Sequence, residues 1–97
     1  MPTHEERESF WRDWASLTPQ RRQAFVRAVK RMNADLKSGI GLRKGLRIKG
    51  VQGHSGVFEM TWADDGRATF SYGTSPRPGE THIVWRRIGS HDIFQNP

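Results

Sequence analysis

The sequence has 97 residues, of which 34% are hydrophobic and none is cysteine. These proportions indicate one globular domain over residues 1–97, and they exclude disulfide bonds, cysteine nucleophiles and zinc sites built from cysteine. No apolar run approaches the ~20 residues of a membrane-spanning helix, and residues 1–6 lack the apolar core of a signal peptide. We therefore expect a cytoplasmic protein that has no membrane partner.

Positive charge is concentrated in the first half of the chain. The net charge is +6, from 16 lysine and arginine residues against 10 aspartate and glutamate residues. Between Gln20 and Gly50 there are ten basic residues and one acidic residue, Asp35. Twelve of the 16 basic residues are arginine, whose forked guanidinium binds phosphates and carboxylates through paired hydrogen bonds. This pattern favours a nucleic acid or an acidic protein segment as the partner, although a cationic soluble surface would have the same composition.

Residues 1–39 have the periodicity of two helices joined by a short turn. The run Thr3-His4-Glu5-Glu6 matches a capping box, which predicts that the first helix begins there. Thr18 followed by proline predicts the start of the second helix, and Gly39 can end it. Between these two signals lies an apolar stripe at helical spacing, made of Phe25, Val29, Met32 and Leu36.

After Gly45 apolar and polar residues alternate with a period of two, which predicts β-strands. The four predicted strands are Leu46–Lys49, Phe58–Trp62, Arg67–Tyr72 and His82–Ile88. The run Asp64-Asp65-Gly66 predicts a tight hairpin turn between the second strand and the third. The fold class is therefore α+β, with an αα-hairpin in residues 1–39 packed on a roughly four-stranded, mainly antiparallel twisted sheet in residues 45–97.

The alternation assigns side chains to two faces of the predicted sheet. The face under the helices has Leu46, Ile48, Phe58, Met60, Trp62, Ala68, Phe70 and Tyr72. The free face has Arg47, Lys49, Glu59, Thr61, Arg67, Thr69 and Ser71. Three cations around a single carboxylate, Glu59, suit an anionic substrate such as a phosphate, with one group able to move a proton. A solvated face with an ordinary Arg–Glu cross-strand pair would show the same pattern.

The four tryptophans could stack on nucleic acid bases. Their spacing instead predicts that Trp11, Trp14 and Trp62 belong to the core. Trp85 is undecided, because either set of alternate residues in its strand can face inwards.

Residues 45–62, with the sequence GLRIKGVQGHSGVFEMTW, and residues 65–70, with the sequence DGRATF, resemble the RelE/ParE toxin superfamily. Its members carry a basic strand, then a strand with glycine, an aromatic residue, glutamate and leucine or methionine. A short turn and a strand that opens with arginine follow. The helical hairpin and residues 85–94 are also similar, so the resemblance covers nearly the whole chain and implies the same α+β fold.

Members of the RelE branch are ribonucleases that cleave mRNA, usually at the ribosome and without a metal ion. The resemblance therefore implies a toxin-like endoribonuclease that needs no cofactor and acts on mRNA at the ribosome. It also implies a cognate antitoxin, whose acidic segment would cover the basic helices and the cationic face. ParE-like members instead inhibit DNA gyrase, so gyrase inhibition stays open, as does a non-catalytic module that binds nucleic acid or protein.

The resemblance also implies roles for individual residues of the sheet. Arg47 and Lys49 match the basic strand that binds phosphate. Arg67 matches the arginine expected at the scissile phosphate, and Glu59 matches a carboxylate that some members use as the general base.

The resemblance also implies that the C-terminal part of the chain supplies further cations or a histidine to the site, here Arg86, Arg87 and His91. Phe94 lies where some relatives have a reactive tyrosine, and because phenylalanine cannot transfer a proton, acid–base work moves to Glu59 and His91. We expect Glu59 to be the base and His91 the acid, since both groups can be tuned to transfer a proton near pH 7, and the two roles could be exchanged. Strict alternation lets only one of Arg86 and Arg87 face the site, and the sequence does not choose between them. His91 beside a single aspartate, with no second cluster at ligand spacing, does not indicate a metal site.

Overall fold

The computed structural model describes residues 2–97 as an α+β fold with two helices on one face of a five-stranded sheet. The helices are α1 (Glu8–Ala15) and α2 (Pro19–Ser38). The strands are β1 (Thr3–Glu6), β2 (Lys49–Gly50), β3 (Phe58–Ala63), β4 (Gly66–Gly73) and β5 (His82–Gly89). Their order across the sheet is β1-β5-β4-β3-β2, with β1 parallel to β5 and every other pair antiparallel. The predicted α+β architecture is confirmed, but the sheet has five strands instead of four. Neither helix within residues 2–97 is both long enough and apolar enough to cross a membrane.

The fifth strand, β1, is formed by residues for which the sequence predicts a helix cap. Thr3 pairs with His82, and Thr3 Oγ1 lies 2.7 Å from His82 Nδ1. On its other side, His82 Nε2 lies 3.0 Å from Glu5 Oε1. The capping-box prediction is wrong because these contacts with β5 outweigh the local cap, and α1 begins only at Glu8.

The second helix, α2, has the boundaries that its local signals predict. Thr18 caps α2, because its Oγ1 accepts a hydrogen bond from the backbone N–H of Arg21 at 3.2 Å. Gly39 ends α2 with a φ of 72°, in the left-handed region that glycine adopts without strain. Arg22 closes the hairpin, since its guanidinium donates two hydrogen bonds, of 3.0 and 3.1 Å, to the carbonyl oxygen of Trp14. The same guanidinium lies 5.4 Å from the centre of the Trp14 indole ring. The end of α1 is thereby joined to the first turn of α2.

The core lies between the helices and one face of the sheet. Its main buried side chains are Phe10, Phe25, Ala28 and Met32 from the helices and Met60, Trp62, Ala68, Phe70, Ile83, Trp85 and Ile88 from the strands. Burial of one large apolar side chain of this kind contributes about 1.5–3 kcal/mol. The core therefore fixes which face of the sheet remains for polar side chains.

Two aromatic residues that were expected in the core are exposed. Trp11 is 51% exposed because it follows the buried Phe10 on α1 and points to the rim of the core. Tyr72 is 47% exposed, near the end of β4, where its ring meets those of Phe58 and Phe70 edge-on. Trp85, which the sequence left undecided, is buried.

The first predicted strand is largely wrong. Lys44–Leu46 forms a 3₁₀ turn, Arg47 adopts a left-handed backbone with a φ of 49°, and only Lys49–Gly50 pairs with the sheet. Asp35 holds this segment at the end of α2, because its carboxylate accepts three hydrogen bonds of 2.9 Å from the backbone and side chain of Arg43. These bonds lower the pKa of Asp35, so the link is present above the carboxyl's ordinary pKa and is lost as the pH falls through the lowered value.

Gly66 begins β4 directly against the indole of Trp62. A Cβ atom at Gly66 would lie 2.6–2.8 Å from ring atoms of Trp62. We expect Gly66→Ala to lower the free energy of unfolding by about 1–3 kcal/mol, because a rigid ring in the core would have to shift. Urea denaturation measures this change, with Gly45→Ala as the control, since a Cβ there would meet no atom within 4 Å. Equal denaturation midpoints for the two variants would contradict the close packing.

Candidate functional site

The sheet face turned away from the helices carries a row of polar residues across four strands. Lys49 on β2 pairs with Glu59 on β3, Glu59 with Thr69 on β4, and Thr69 with Arg87 on β5. Met60, the next residue after Glu59, is fully buried in the core, so Glu59 points to the opposite face by strand alternation. We call these four residues the polar row.

Glu59 has one close cationic partner. Its Oε1 lies 3.9 Å from Nζ of Lys49, whose side chain is 71% exposed while that of Glu59 is 14% exposed. An ion pair this long, with one partner in solvent, contributes little to stability. The carboxylate can therefore exchange Lys49 for another partner without loss of the fold.

The C-terminal 3₁₀ turn, His91–Gln95, covers part of the same face. A Cβ atom at Gly89 would lie 3.0 Å from Cγ2 of Ile93, and Ile93 is buried. Thr69 is fully buried in the middle of the polar row, and its Oγ1 has no hydrogen-bond partner within residues 2–97. The expectation that this whole face is free is therefore wrong, because this turn packs on β4 and β5.

Three arginines line a cleft of about 370 Å³ at the end of β3, which we call the β3–β4 cleft. Its charged and polar side chains are Arg31, Arg47, Thr61, Asp64 and Arg67. Thr61 lies two residues from Glu59 on the same face of β3, a separation of ~6.8 Å along a strand. The structure therefore brings Arg47 and Arg67 to one cleft together with Arg31 from α2, while Glu59 lies outside the lining of this cleft, two residues along β3 from Thr61.

Arg67 is fixed by the turn between β3 and β4. Its Nη1 donates to the carbonyl oxygens of Ala63, Asp64 and Gly66 at 3.2, 3.2 and 3.0 Å. A guanidinium has five N–H donors, and within residues 2–97 the donors on Nε and Nη2 of Arg67 have no acceptor. The side chain is thus held in place with donors left over for an anion.

A second arginine cluster lies where β5 passes α1, in a cleft of about 250 Å³ that we call the β5–α1 cleft. Its lining includes Arg7, Arg12, Asp13, Arg86 and Arg87. Nε and Nη2 of Arg87 donate to the Asp13 carboxylate at 2.6 and 3.1 Å, and this contact raises the pKa of Arg87. The remaining Nη1 of Arg87 donates to the carbonyl oxygen of Asn96 at 3.0 Å. Arg87, predicted as a catalytic cation, therefore has all three nitrogens engaged in tying α1 and the C-terminal segment to β5.

The strict strand alternation, from which only one of Arg86 and Arg87 was expected to face the site, is wrong. Thr69 pairs with Arg87 but the next residue, Phe70, pairs with Trp85, so Arg86 is the extra residue of a β-bulge. A bulge interrupts strand alternation, and both arginines line the β5–α1 cleft.

His91 and Phe94 lie together on the C-terminal 3₁₀ turn. Their rings meet edge to face with centroids 4.9 Å apart, and His91 is exposed. Within residues 2–97, Glu59 has its ion pair with Lys49 and makes no hydrogen bond to His91. The expected acid and base are therefore not in direct contact.

Three arginines in the two clefts were not assigned to a site by the sequence. Arg31 lies next to the core residue Met32 in a basic helix, and this helical position was the only signal for it. Arg7 is the N-cap residue of α1 and Arg12 lies in its last turn, and neither belongs to a recognisable sequence pattern. Their meeting with β5 depends on the fold of the whole chain.

Comparison with solved structures identifies the fold. The chain superposes on a chain of the E. coli DinJ-YafQ complex with a TM-score of 0.63 and 15% sequence identity, covering 96% of this chain and 97% of that chain. It also superposes on a chain of the RelB-RelE antitoxin-toxin complex from Methanococcus jannaschii, with a TM-score of 0.59, 16% identity and 94% of each chain covered. The YoeB/ParE toxin from Agrobacterium tumefaciens gives a TM-score of 0.57 at 13% identity, over 92% of this chain and 98% of that one. The chain has the RelE/ParE toxin fold.

The likeness to the RelE/ParE fold extends over 92–96% of the chain in these three comparisons. The fold that the resemblance implied is thereby confirmed. No family model and no curated protein matches the sequence. The likeness is therefore one of backbone architecture, and the chemistry must be argued from this chain's own residues.

Proposed function

We propose that this chain is a RelE-like toxin that cleaves mRNA and is neutralised by a cognate antitoxin. The observation that carries the proposal is that Glu59 and Thr61 share one face of β3, and that Thr61 lines a cleft with the guanidinium groups of Arg31, Arg47 and Arg67. Cations can hold a phosphodiester there while the carboxylate moves a proton. The RelE/ParE fold supports the same proposal.

In this proposal the RNA supplies its own nucleophile, the 2′-hydroxyl. Glu59 accepts the hydroxyl proton as the oxygen attacks the adjacent phosphorus, and Arg47 and Arg67 offset the charge on the pentacoordinate phosphate. His91 protonates the departing 5′-oxygen, which leaves a 2′,3′-cyclic phosphate on one product and a 5′-hydroxyl on the other. Each proton transfer typically contributes ~10²–10⁴-fold to the rate.

The separation of Glu59 from His91 fits this chemistry. In an in-line displacement the attacking and leaving oxygens lie on opposite sides of the phosphorus, so the base and the acid must act from opposite sides of the substrate. The RNA would lie between them, with Lys49 near its backbone and the ring of Phe94 available to stack on a base. Arg87 would act by positioning β5, since its donors are engaged.

The proposed antitoxin is a protein with an acidic segment that covers the cationic surface. The basic side chains Arg27, Lys30, Arg31 and Lys37 are exposed along α2. A negatively charged segment would neutralise them and block access to the β3–β4 cleft, which Arg31 lines. The DinJ-YafQ and RelB-RelE structures are toxin-antitoxin complexes, which supports such a partner. Toxin, antitoxin, mRNA and ribosome would meet in the cytoplasm.

Incubation of the wild-type protein with translating ribosomes and a defined mRNA tests the proposal. We expect cut transcripts whose upstream fragments end in a 2′,3′-cyclic phosphate, mapped by primer extension and end-group analysis. Intact transcripts would contradict the nuclease. A DNA gyrase supercoiling assay run in parallel separates the ParE-like alternative, because inhibited supercoiling with intact mRNA would identify a gyrase inhibitor.

Two substitutions of Arg47 distinguish the effect of its charge on RNA binding from the effect of its backbone strain on stability. Its left-handed conformation costs a non-glycine residue about 1–2 kcal/mol. We expect Arg47→Gly and Arg47→Ala to weaken RNA binding equally, because both remove the same cation from the β3–β4 cleft. The glycine variant should be the more stable of the two by about 1 kcal/mol, since only glycine adopts this backbone without strain. Fluorescence anisotropy and urea denaturation measure the two quantities, and an alanine variant as stable as the glycine variant would contradict the strained backbone.

A further inference from the structure

The β5–α1 cleft holds more positive charge than the chain neutralises. Its side chains include four guanidinium groups and one carboxylate, that of Asp13. Both oxygens of Asp13 bind Arg87, and Oδ2 also accepts a hydrogen bond from the backbone N–H of Ile88 at 3.1 Å. Three guanidinium groups remain without a side-chain carboxylate partner within residues 2–97, namely Arg7, Arg12 and Arg86.

Arg86 is the most constrained of these three groups. Burial, and secondly the charge of Arg7, lower the pKa of Arg86, so its charged form is less stable here than in water. Its Nε donates to a main-chain oxygen of Pro97, the last residue of the sequence, over a long 3.3 Å, and within residues 2–97 its Nη1 and Nη2 have no acceptor. An anion in the cleft would relieve the repulsion between the guanidinium groups and accept these donors.

The charge and shape of the cleft favour a phosphate over a carboxylate. A carboxylate is already satisfied by one arginine and one backbone N–H, as Asp13 shows with Arg87 and Ile88. A phosphodiester has two unesterified oxygens on a tetrahedral centre, so it can accept hydrogen bonds from several guanidinium groups that approach from different directions. A volume of about 250 Å³ leaves room for such a group.

We propose that the β5–α1 cleft binds a backbone phosphate of the RNA a few nucleotides from the bond that is cleaved. The inference rests on the proposed function, because it adds a second contact to the same substrate. Arg87 lines this cleft and also lies in the polar row, two strands from Glu59. Neighbouring β-strands lie ~4.8 Å apart, so Glu59 and Arg87 are separated by ~10 Å across the sheet. This distance is on the order of three nucleotide steps of ~3.4 Å each in a stacked single strand of RNA. Because the C-terminal 3₁₀ turn covers Thr69 between these two positions, a single strand that reaches both places would have to pass around this turn.

Binding of a 2′-O-methyl oligoribonucleotide to the full chain tests the inference. The probe has no 2′-hydroxyl, so it stays intact and its binding does not depend on cleavage. The variant Arg7→Gln/Arg12→Gln removes two exposed cations from the cleft and leaves the contact between Arg87 and Asp13 in place. The control Arg27→Gln/Lys37→Gln removes two exposed cations of α2 that line neither cleft.

We expect the cleft variant to bind the oligoribonucleotide ~10-fold more weakly by fluorescence anisotropy. The slope of log K against log salt should fall in magnitude by ~0.7, the value for one phosphate contact of a single strand. The control should lose less than about twofold, because its charges act only at long range through the salt solution. Equal losses and equal slopes for the two variants would overturn the inference, and so would a wild-type protein that does not bind the probe.

Two further probes show which kind of anion the β5–α1 cleft binds. If the cleft variant weakens binding of inorganic phosphate or of a polyglutamate peptide but leaves oligoribonucleotide binding unchanged, the cleft binds a free ion or an acidic protein and the inference is wrong. Failure of the proposed nuclease would give a different result, in which mRNA stays uncut while RNA binding still depends on Arg7 and Arg12.

Discussion

Arg67→Ala should reduce the rate of mRNA cleavage by ~10²–10³-fold, the usual effect of removing one preorganised donor from a developing negative charge. Three carbonyl oxygens of the β3–β4 turn hold the guanidinium of Arg67, so it can meet the charged phosphate without rearrangement. Single-turnover cleavage of a defined mRNA by translating ribosomes measures the effect. Cleavage by folded Arg67→Ala at the wild-type rate would contradict the role of Arg67.

Two controls separate chemistry from charge and from folding. Arg67→Lys keeps the charge but has no fork that can bind the turn and a phosphate together, so its rate should lie between those of the wild type and Arg67→Ala. Arg77→Ala removes the same charge from the exposed loop between β4 and β5, and its rate should stay within about twofold of the wild type. Urea denaturation of each variant shows whether loss of the turn contacts, and not loss of catalysis, lowers the activity.

Glu59→Gln should reduce cleavage by ~10²–10⁴-fold while RNA affinity stays the same or rises. The amide has the shape of the carboxylate but cannot accept the 2′-hydroxyl proton, and its neutrality removes a repulsion from the phosphate. The lost ion pair with Lys49 has little effect on stability, because its partners are 3.9 Å apart and Lys49 is largely in solvent. Rate and affinity measured together therefore distinguish a proton-transfer group from a binding group.

The matched control for Glu59 is Asp64, a second carboxylate near the same arginines, which lines the β3–β4 cleft and is exposed in the turn. Asp64→Asn removes the same charge from the cleft and should change the rate by less than about threefold, since the turn is held by the backbone carbonyl of Asp64 and not by its carboxylate. Equal losses in Asp64→Asn and Glu59→Gln would mean that the net charge of the cleft, and not proton transfer, sets the rate.

The parts of the fold that follow from neighbouring residues could be predicted from the sequence. The Thr18 cap, the Gly39 terminus and the turn at residues 64–65 each depend on side chains and backbone within a few positions. Alternation in β3 likewise put Glu59 on the polar face and Met60 in the core. These signals were enough for the α+β class and for the position of the carboxylate relative to the helices.

The parts that depend on distant residues could not be predicted in this way. Thr3 begins a strand instead of a helix because His82 lies beside it, and no property of residues 3–6 indicates that partner. Arg47 leaves the strand pattern because Asp35 holds the preceding Arg43. Arg86 joins Arg87 in one cleft because of a bulge, which a regular period of two does not contain.

The position of β5 in the strand order affects how the protein is made. β5 lies between β1 and β4 in the sheet. The first strand to be synthesised, β1, is therefore joined to the other strands only through β5, which is the last of the five to leave the ribosome. Until β5 emerges, β1 has no neighbour, the edge of β4 is unpaired, and Asp13 has not met Arg87. Pairing across such a long stretch of chain is slow compared with local folding. The fold of the nascent polypeptide therefore stays incomplete until β5 is made, and the β5–α1 cleft and the full polar row form only once this strand inserts.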